Sequence, residues 1–271
     1  MKLLRTSAEV REELTDARQR GARIGLVPTM GALHQGHVSL IGAARQACDV
    51  VVVSLFVNPT QFGQAEDLER YPRDEDHDRR LAEEAGADLL FAPTVEEIYP
   101  DGFDTWVDPG KIGTYLEGAA RPGHFRGVAT VCARLFGIIA PQLAFFGRKD
   151  AQQVAVVKQL VRDLALPVEI VACATVRDAD GLAFSSRNQH LSNEERATAL
   201  ALPRALEAGV AAHRAGEDAV RAARDVLAAA PGLAVDYVAI ADLDGPTLAA
   251  AVVVGSTRLI DNVRLNNEGE G

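Results

Sequence analysis

Asp49-Val-Val-Val-Val-Ser-Leu-Phe-Val57 is almost continuously apolar and rich in β-branched residues. A strand with one wet face alternates apolar with polar residues. An unbroken run of this length instead suits a strand buried on both faces, as in a parallel sheet sandwiched between helices. The segments on either side fit that setting. Upstream, Ser7 is placed to cap a helix running to about Arg20, Arg23–Val27 reads as a short strand, and Gly36–Ala47 as a helix. Downstream come a charged helix from about Asp74 to Ala85, a strand at Asp88–Ala92 and a helix from His124 to Ile139. A strand at Leu143–Phe146, a helix from Asp150 to Leu164 and a strand at Val168–Ala172 complete the series. Strands alternating with helices predict an α/β domain on a doubly wound parallel sheet.

Beyond Thr175 the pattern changes. A polar loop to Asn188 is followed by a long Ala-rich helical stretch opened by Ser192-Asn-Glu-Glu195, interrupted by Pro203 and again near Gly216. Strand-like pieces follow at Val235–Ile240, Ala251–Val254 and Arg258–Ile260. This predicts a smaller C-terminal α+β domain, with the chain divided into 1–175 and 176–271.

The 271 residues carry 38 acidic and 28 basic side chains, a net charge of −10, which excludes the basic footprint of a non-specific nucleic-acid binder. No apolar run reaches the ~18–20 residues of a membrane span. Charge at Lys2 and Arg5 precedes any signal-peptide core, so the expected location is cytoplasmic. Cys48, Cys132 and Cys173 are odd in number and far apart, a pattern of buried reduced thiols rather than of zinc or disulfide frameworks.

Four segments carry candidate chemistry. Pro28-Thr-Met-Gly-Ala-Leu-His-Gln-Gly-His37 lies between a predicted strand and helix, where Gly31 and Gly36 would let a phosphate approach the backbone and a helix N-terminus would face it. His34 and His37, three apart, can serve one anion as imidazolium or neutral donors; a zinc pair or two surface histidines is the alternative. Phe146-Gly-Arg-Lys-Asp-Ala-Gln-Gln153 lies at a second strand-to-helix junction. There Lys149 offers a point charge, Asp150 a cap or ribose acceptor, and Gln152 and Gln153 amides for a polar ligand; a plain capped helix is the alternative. Gly181-Leu-Ala-Phe-Ser-Ser-Arg-Asn188 groups two hydroxyls with Arg187, suited to a polyphosphate or to an ordinary surface loop. Phe56-Val-Asn-Pro-Thr-Gln-Phe62 presents Asn58 and Gln61 at the end of the buried strand.

Together these segments, with Tyr71-Pro-Arg73 and Arg121-Pro-Gly-His-Phe-Arg-Gly-Val128, resemble the pantoate–β-alanine ligase (pantothenate synthetase) family over nearly the whole chain. The H-x-G-H core at His34–His37 is shared with the wider nucleotidyl-transferase group. The resemblance implies a Rossmann-like fold of nucleotidyl-transferase type, with the C-terminal domain acting as a lid. It also implies a cytoplasmic enzyme, a homodimer, that joins (R)-pantoate to β-alanine through pantoyl adenylate, releasing pyrophosphate and AMP.

Carried over residue by residue, the resemblance implies that Met30, Gly31, Ala32, Leu33, His34, Gln35, Gly36 and His37 hold ATP, with both histidines on its phosphates. Gly147, Arg148, Lys149 and Asp150 take the nucleoside, Lys149 reaching the α-phosphate, while Val176, Phe184, Ser185, Ser186 and Arg187 close over the nucleotide. Gln61 and Gln153 clamp pantoate, Gln61 also serves β-alanine, and Asp78 carries a contact to Mg2+. His34, His37, Lys149 and Arg187 form the implied catalytic set. Arg148 stands where the family usually has Glu, and His77 where an acidic neighbour of Asp78 is common. Two rivals remain: a nucleotidyltransferase with a nucleotide product, and a non-catalytic nucleotide sensor.

Overall fold

The computed structural model describes residues 1–63, 68–69 and 71–266. The chain forms two compact units, one of Met1–Gly147 with Gln152–Cys173, the other of Arg148–Ala151 with the chain from Ala174 onward.

The first unit is a six-stranded parallel sheet of β1 (Lys2–Leu4), β2 (Ile24–Thr29), β3 (Val50–Leu55), β4 (Leu89–Phe91), β5 (Leu143–Gly147) and β6 (Glu169–Cys173), in the order β1-β4-β3-β2-β5-β6. Besides single turns at Val95–Ile98 and Glu117–Ala120, its helices are α1 (Ser7–Glu13), α2 (Thr15–Gln19), α3 (Gln35–Ala47), α4 (Glu75–Glu84), α5 (His124–Ile139) and α6 (Ala151–Asp163). The apolar run at its centre is buried as anticipated: Val51, Val52 and Val53 have no exposed surface. Alternate residues of the same strands segregate into two cores. Val52, Leu89, Phe91, Ala144 and Phe146 pack with Val10, Leu14 and the apolar stripes of α5 and α6. Val51, Val53, Leu90, Leu143 and Phe145 pack with Leu40, Ile41 and Ala44 of α3 and Ala82 of α4. Helices therefore cover both faces, which is why these strands show no polar alternation.

Strand order positions the site. From β2 the chain moves outward to β3 and β4 on one side, whereas β5 and β6 lie on the other. The order in which strands are added thus reverses between β2 and β5, and ligands of such sheets bind beyond the carboxyl ends of the strands at that point.

Some local readings are corrected. The first helix is two, divided at Leu14, and its cap is Thr6, whose hydroxyl accepts from Glu9 N–H while the Glu9 carboxylate accepts from Thr6 N–H. That reciprocal arrangement satisfies two orphan donors, which Ser7 one residue later cannot do. Strand β1 was not foreseen, because three residues show no period; it pairs with β4 at the sheet edge.

The second unit carries α7 (Asn193–Ala199), α8 (Ala201–Arg214) and α9 (Ala219–Ala228) on an antiparallel sheet of β7 (Leu233–Asp242), β8 (Pro246–Val254) and β9 (Thr257–Arg264). Ser192 and Glu195 form the capping box that opens α7. Pro203 interrupts nothing: it is the third residue of α8, where no N–H is needed, and the break falls at Leu200. Among the described residues, no helix is long and apolar enough to cross a membrane.

Phe145 is 1 % exposed at the heart of one core, whereas Leu164, beyond α6, is 52 % exposed. Phe145→Ala is expected to cost about 3–5 kcal/mol. Leu164→Ala should change stability by no more than about 0.5 kcal/mol. Urea unfolding of the two variants beside the parent checks the contrast.

Candidate active site

The turn after β2 is held by its amides. Gly31 (φ 92°) and Ala32 (φ 51°) are both left-handed, a conformation that costs a non-glycine residue about 1–2 kcal/mol. The strain is offset by Asp78 of α4: its Oδ2 accepts from Ala32 N–H at 2.9 Å and its Oδ1 from Leu33 N–H at 2.6 Å. The Tyr71 hydroxyl donates to Gly31 O at 3.4 Å. Asp78 is 1 % exposed. Burial pushes its carboxyl above the ordinary range, against the pull of the two amide bonds.

Both oxygens of Asp78 are enclosed and each accepts from a backbone amide, which braces the turn. His77 is exposed, its N–H bonded to Asp74. Among the described residues, no group of three or more His, Cys, Asp or Glu is arranged to hold a metal ion.

His34 caps α3 and the two histidines cap each other's turn. His34 Nδ1 accepts from Gly36 N–H at 3.1 Å, and His37 Nδ1 accepts from His34 N–H at 3.3 Å, with ring centroids 4.2 Å apart. A ring nitrogen that accepts carries no proton, so this network assigns both rings as the neutral tautomer with the proton on Nε2. The sequence left imidazolium and neutral forms open; the caps select the neutral form. The amides of Ala32, Leu33, His34 and Gly36 are all bonded inside the protein. The Leu33 side chain is buried in the core, while Met30, His34 and His37 are half-buried and Gln35 is exposed.

After β3, Pro59–Gln61 forms a 3-10 turn capped by Asn58. Asn58 Oδ1 accepts from the Tyr99 hydroxyl at 2.8 Å and the Thr60 hydroxyl at 2.9 Å. Burial holds the Tyr99 phenol above its ordinary range, keeping it a donor. Asn58 Nδ2 donates to Gln61 Oε1 at 3.0 Å, so the Gln61 amide is oriented with Nε2 toward the Met30 sulfur at 2.9 Å. A thioether is a weak acceptor, and the donor end of Gln61 suits a carboxylate or hydroxyl oxygen better. Gln61 O accepts from His124 Nδ1–H at 2.9 Å, and Arg121, which only donates, bonds His124 Nε2 at 3.2 Å. Sequence reasoning missed His124 and Tyr99 as supports of Gln61. The signal for a further support was a glycine inside a helical pattern: a Cβ on Gly127 would lie 2.5 Å from Thr60 O and 2.8 Å from Gln61 N.

The adjacent glutamines of α6 separate. Gln152, 4 % exposed, accepts from Glu117 N–H and donates to Ile112 O and Tyr115 O, so its amide is fully used in structure. Gln153 is half-buried.

In the second unit, Lys149, Ser185, Arg187, Asn188, Arg258 and Asp261 line one concavity, which brings together the cations of two separate sequence motifs. Ser185 Oγ accepts from Arg187 N–H and caps the turn Ser186–His190. The loop leading to it is closed by Phe184 N–H donating to Val176 O and by a bidentate Arg177–Asp261 pair at 2.6 and 3.1 Å. Asn262 Nδ2 holds the carbonyls of Arg148 and Lys149. Gly147 and Arg148 are half-buried and Asp150 is exposed. The unusual Arg148 bonds Asp244 at 3.4 Å, which gives its charge a partner. No cysteine shows nucleophile character: Cys48 and Cys132 are buried, Cys173 is half-buried, and burial pushes the Cys132 thiol up to about 12.

A family model described as pantoate-beta-alanine ligase matches residues 2–264. The chain is 54 % identical to a pantothenate synthetase of Moorella thermoacetica over 98 % of this chain and 99 % of the relative. A crystal structure of pantothenate synthetase from Thermus thermophilus superposes with a TM-score of 0.91 at 47 % identity, covering 98 % of this chain and 99 % of that one. The ligase of Francisella tularensis, solved with β,γ-ATP and β-alanine, gives 0.85 at 34 % identity over 98 % of both chains.

Gly127 and Gly137 lie on the same helix α5, yet a Cβ on Gly137 meets nothing within 4 Å. Gly137→Ala should stabilise by up to about 1 kcal/mol through helix propensity. Gly127→Ala should lose about 1–3 kcal/mol, since the clash is with backbone and outweighs that gain. Urea midpoints of the pair read the opposite signs.

Proposed function

The chain belongs to the pantoate-beta-alanine ligase family, and on that premise we propose that His34, His37, Lys149, Arg187, Gln61 and Gln153 carry an ATP-driven condensation of (R)-pantoate with β-alanine. The observation that carries the reading is the donor end of Gln61 lying against Met30, four residues before His34. An acyl substrate on Gln61 would neighbour a phosphate on the histidines.

The pantoate carboxylate attacks the α-phosphorus of ATP, forming an acyl–O–P bond as the bond to pyrophosphate breaks. The β-alanine amine then attacks the acyl carbon; a C–N bond forms, a proton leaves nitrogen, and AMP departs. No protein nucleophile is required, because the substrate's own carboxylate attacks. The work left to the protein is alignment and charge neutralisation. His34 and His37, as neutral Nε2–H donors, meet charge that grows on the phosphates, and being held by their caps they need no reorganisation. Lys149 supplies a point charge to the α-phosphate, and Arg187 with Ser185 and Ser186 serves the remaining phosphates. Gln61 and Gln153 hold pantoate, and Gln61 also faces β-alanine. In this reading Mg2+ travels with the phosphates of ATP, and no residue is assigned to it. A cytoplasmic homodimer is part of the same proposal, checked by solution molar mass.

AMP release that requires ATP, pantoate and β-alanine together is the expected result; a stable nucleotidyl conjugate as product would overturn it. His34→Ala and His37→Ala should each slow single-turnover adenylation by roughly 10²–10³. Gln61→Ala and Gln153→Ala should each cost about 1–3 kcal/mol in pantoate use, measured by kcat/KM, with ATP affinity unchanged in equilibrium titration.

A further inference from the structure

Asp78 has no part in the reaction as derived, yet it is the most enclosed carboxylate beside the candidate site. Three successive amides of the turn are bonded in register: Ala32 N–H to Asp78 Oδ2, Leu33 N–H to Asp78 Oδ1, and His34 N–H to His37 Nδ1. Consecutive N–H groups turned to one side by left-handed residues make a concave site for an anion. Here Asp78 fills that concavity from inside the protein. A carboxylate is the one side chain suited to it. Both of its oxygens accept, whereas an Asn in the same place would set an NH2 against one of the two N–H groups. The space is also closed: a Cβ on Gly31 would lie 3.0 Å from Asp78 Oδ2 and 3.0 Å from Leu55 Cδ1.

We propose that Asp78 is a positioning residue: by occupying the anion site of the Ala32 and Leu33 amides it fixes the peptide planes that lead into His34, and so sets the direction of the histidine pair. The inference rests on the reading that His34 and His37 act on ATP. Its chemical consequence is a division of labour. The turn's amides answer an internal anion that is always present, and the nucleotide is left to the side chains. With the planes before His34 fixed, the mutual caps of the two rings form without nucleotide, and the donors stand ready when ATP arrives.

The first test needs no variant. Amide hydrogen exchange at Ala32 and Leu33 is followed by NMR in the full chain, without nucleotide and then with a non-hydrolysable ATP analogue and magnesium. Slow exchange of both amides before nucleotide is added is the expected result. Unprotected exchange that slows only with the analogue would overturn the proposal, because those amides would then belong to the phosphates.

The second test reads Asp78→Asn and Asp78→Glu. Asp78→Asn should slow adenylation by roughly 10²-fold, the scale of a small misplacement of reacting groups, with KM for pantoate unchanged. Its ring 15N shifts should show His34 and His37 losing the single Nε2–H tautomer. Asp78→Glu, which restores two acceptor oxygens, should recover part of the rate. Unimpaired adenylation by Asp78→Asn would sink the proposal, and if that variant does not fold, the exchange measurement on the unaltered chain decides. His34→Ala and His37→Ala run in the same assay separate the two claims. Normal adenylation in both histidine variants defeats the reading of their role on ATP, whereas fast exchange at Ala32 and Leu33 defeats the brace.

Discussion

Burial of the sheet on both faces is the constraint from which the first unit follows. Because Val51, Val52 and Val53 have no exposed surface, β3 must be central, and each of its faces needs a helical cover. The cover requires crossover connections, and those put a loop at the carboxyl end of every strand. Sheets of this kind bind their ligands beyond the carboxyl ends of the strands where the connections change side, here between β2 and β5. The candidate chemistry therefore sits on loops whose positions are dictated by a core that takes no part in it.

The loops themselves economise on hydrogen bonds. Asn58 orients Gln61, His124 with Arg121 holds the Gln61 carbonyl, and each histidine of the pair caps a turn through Nδ1. Gln61 thereby gives its Oε1 to Asn58 and turns its Nε2 toward Met30. The direction in which a donor faces is thereby set before any substrate arrives, which is the condition for electrostatic stabilisation without reorganisation.

Much of this was legible from residue order. The unbroken apolar run, the strand–helix alternation and the Ser192–Glu195 capping pattern are local signals with local causes, and they appear in the structure where they were read. The site motifs were legible as segments, but not the duties within them. Nothing local separates Gln152 from Gln153, or shows that Asp78 accepts from the Ala32 and Leu33 amides, because those contacts are made 35 to 46 residues away in sequence. Strand β1 was too short to carry a period, and the cap at Thr6 differs from the expected one by a single position whose reciprocal partner, Glu9, had to be seen.

The glutamine pair shows how unlike two identical neighbours become on a helix. A step of one residue, about 100° around the helix, carries Gln152 into the protein, where three backbone groups of the segment Ile112–Glu117 close on its amide, and leaves Gln153 half-buried beside it. Selection then reads them through different quantities. Losing the first removes three hydrogen bonds to buried backbone, so the number of folded molecules in the cell falls before any chemistry is affected. Losing the second, in the proposed reading, leaves the population intact and makes each molecule a slower worker.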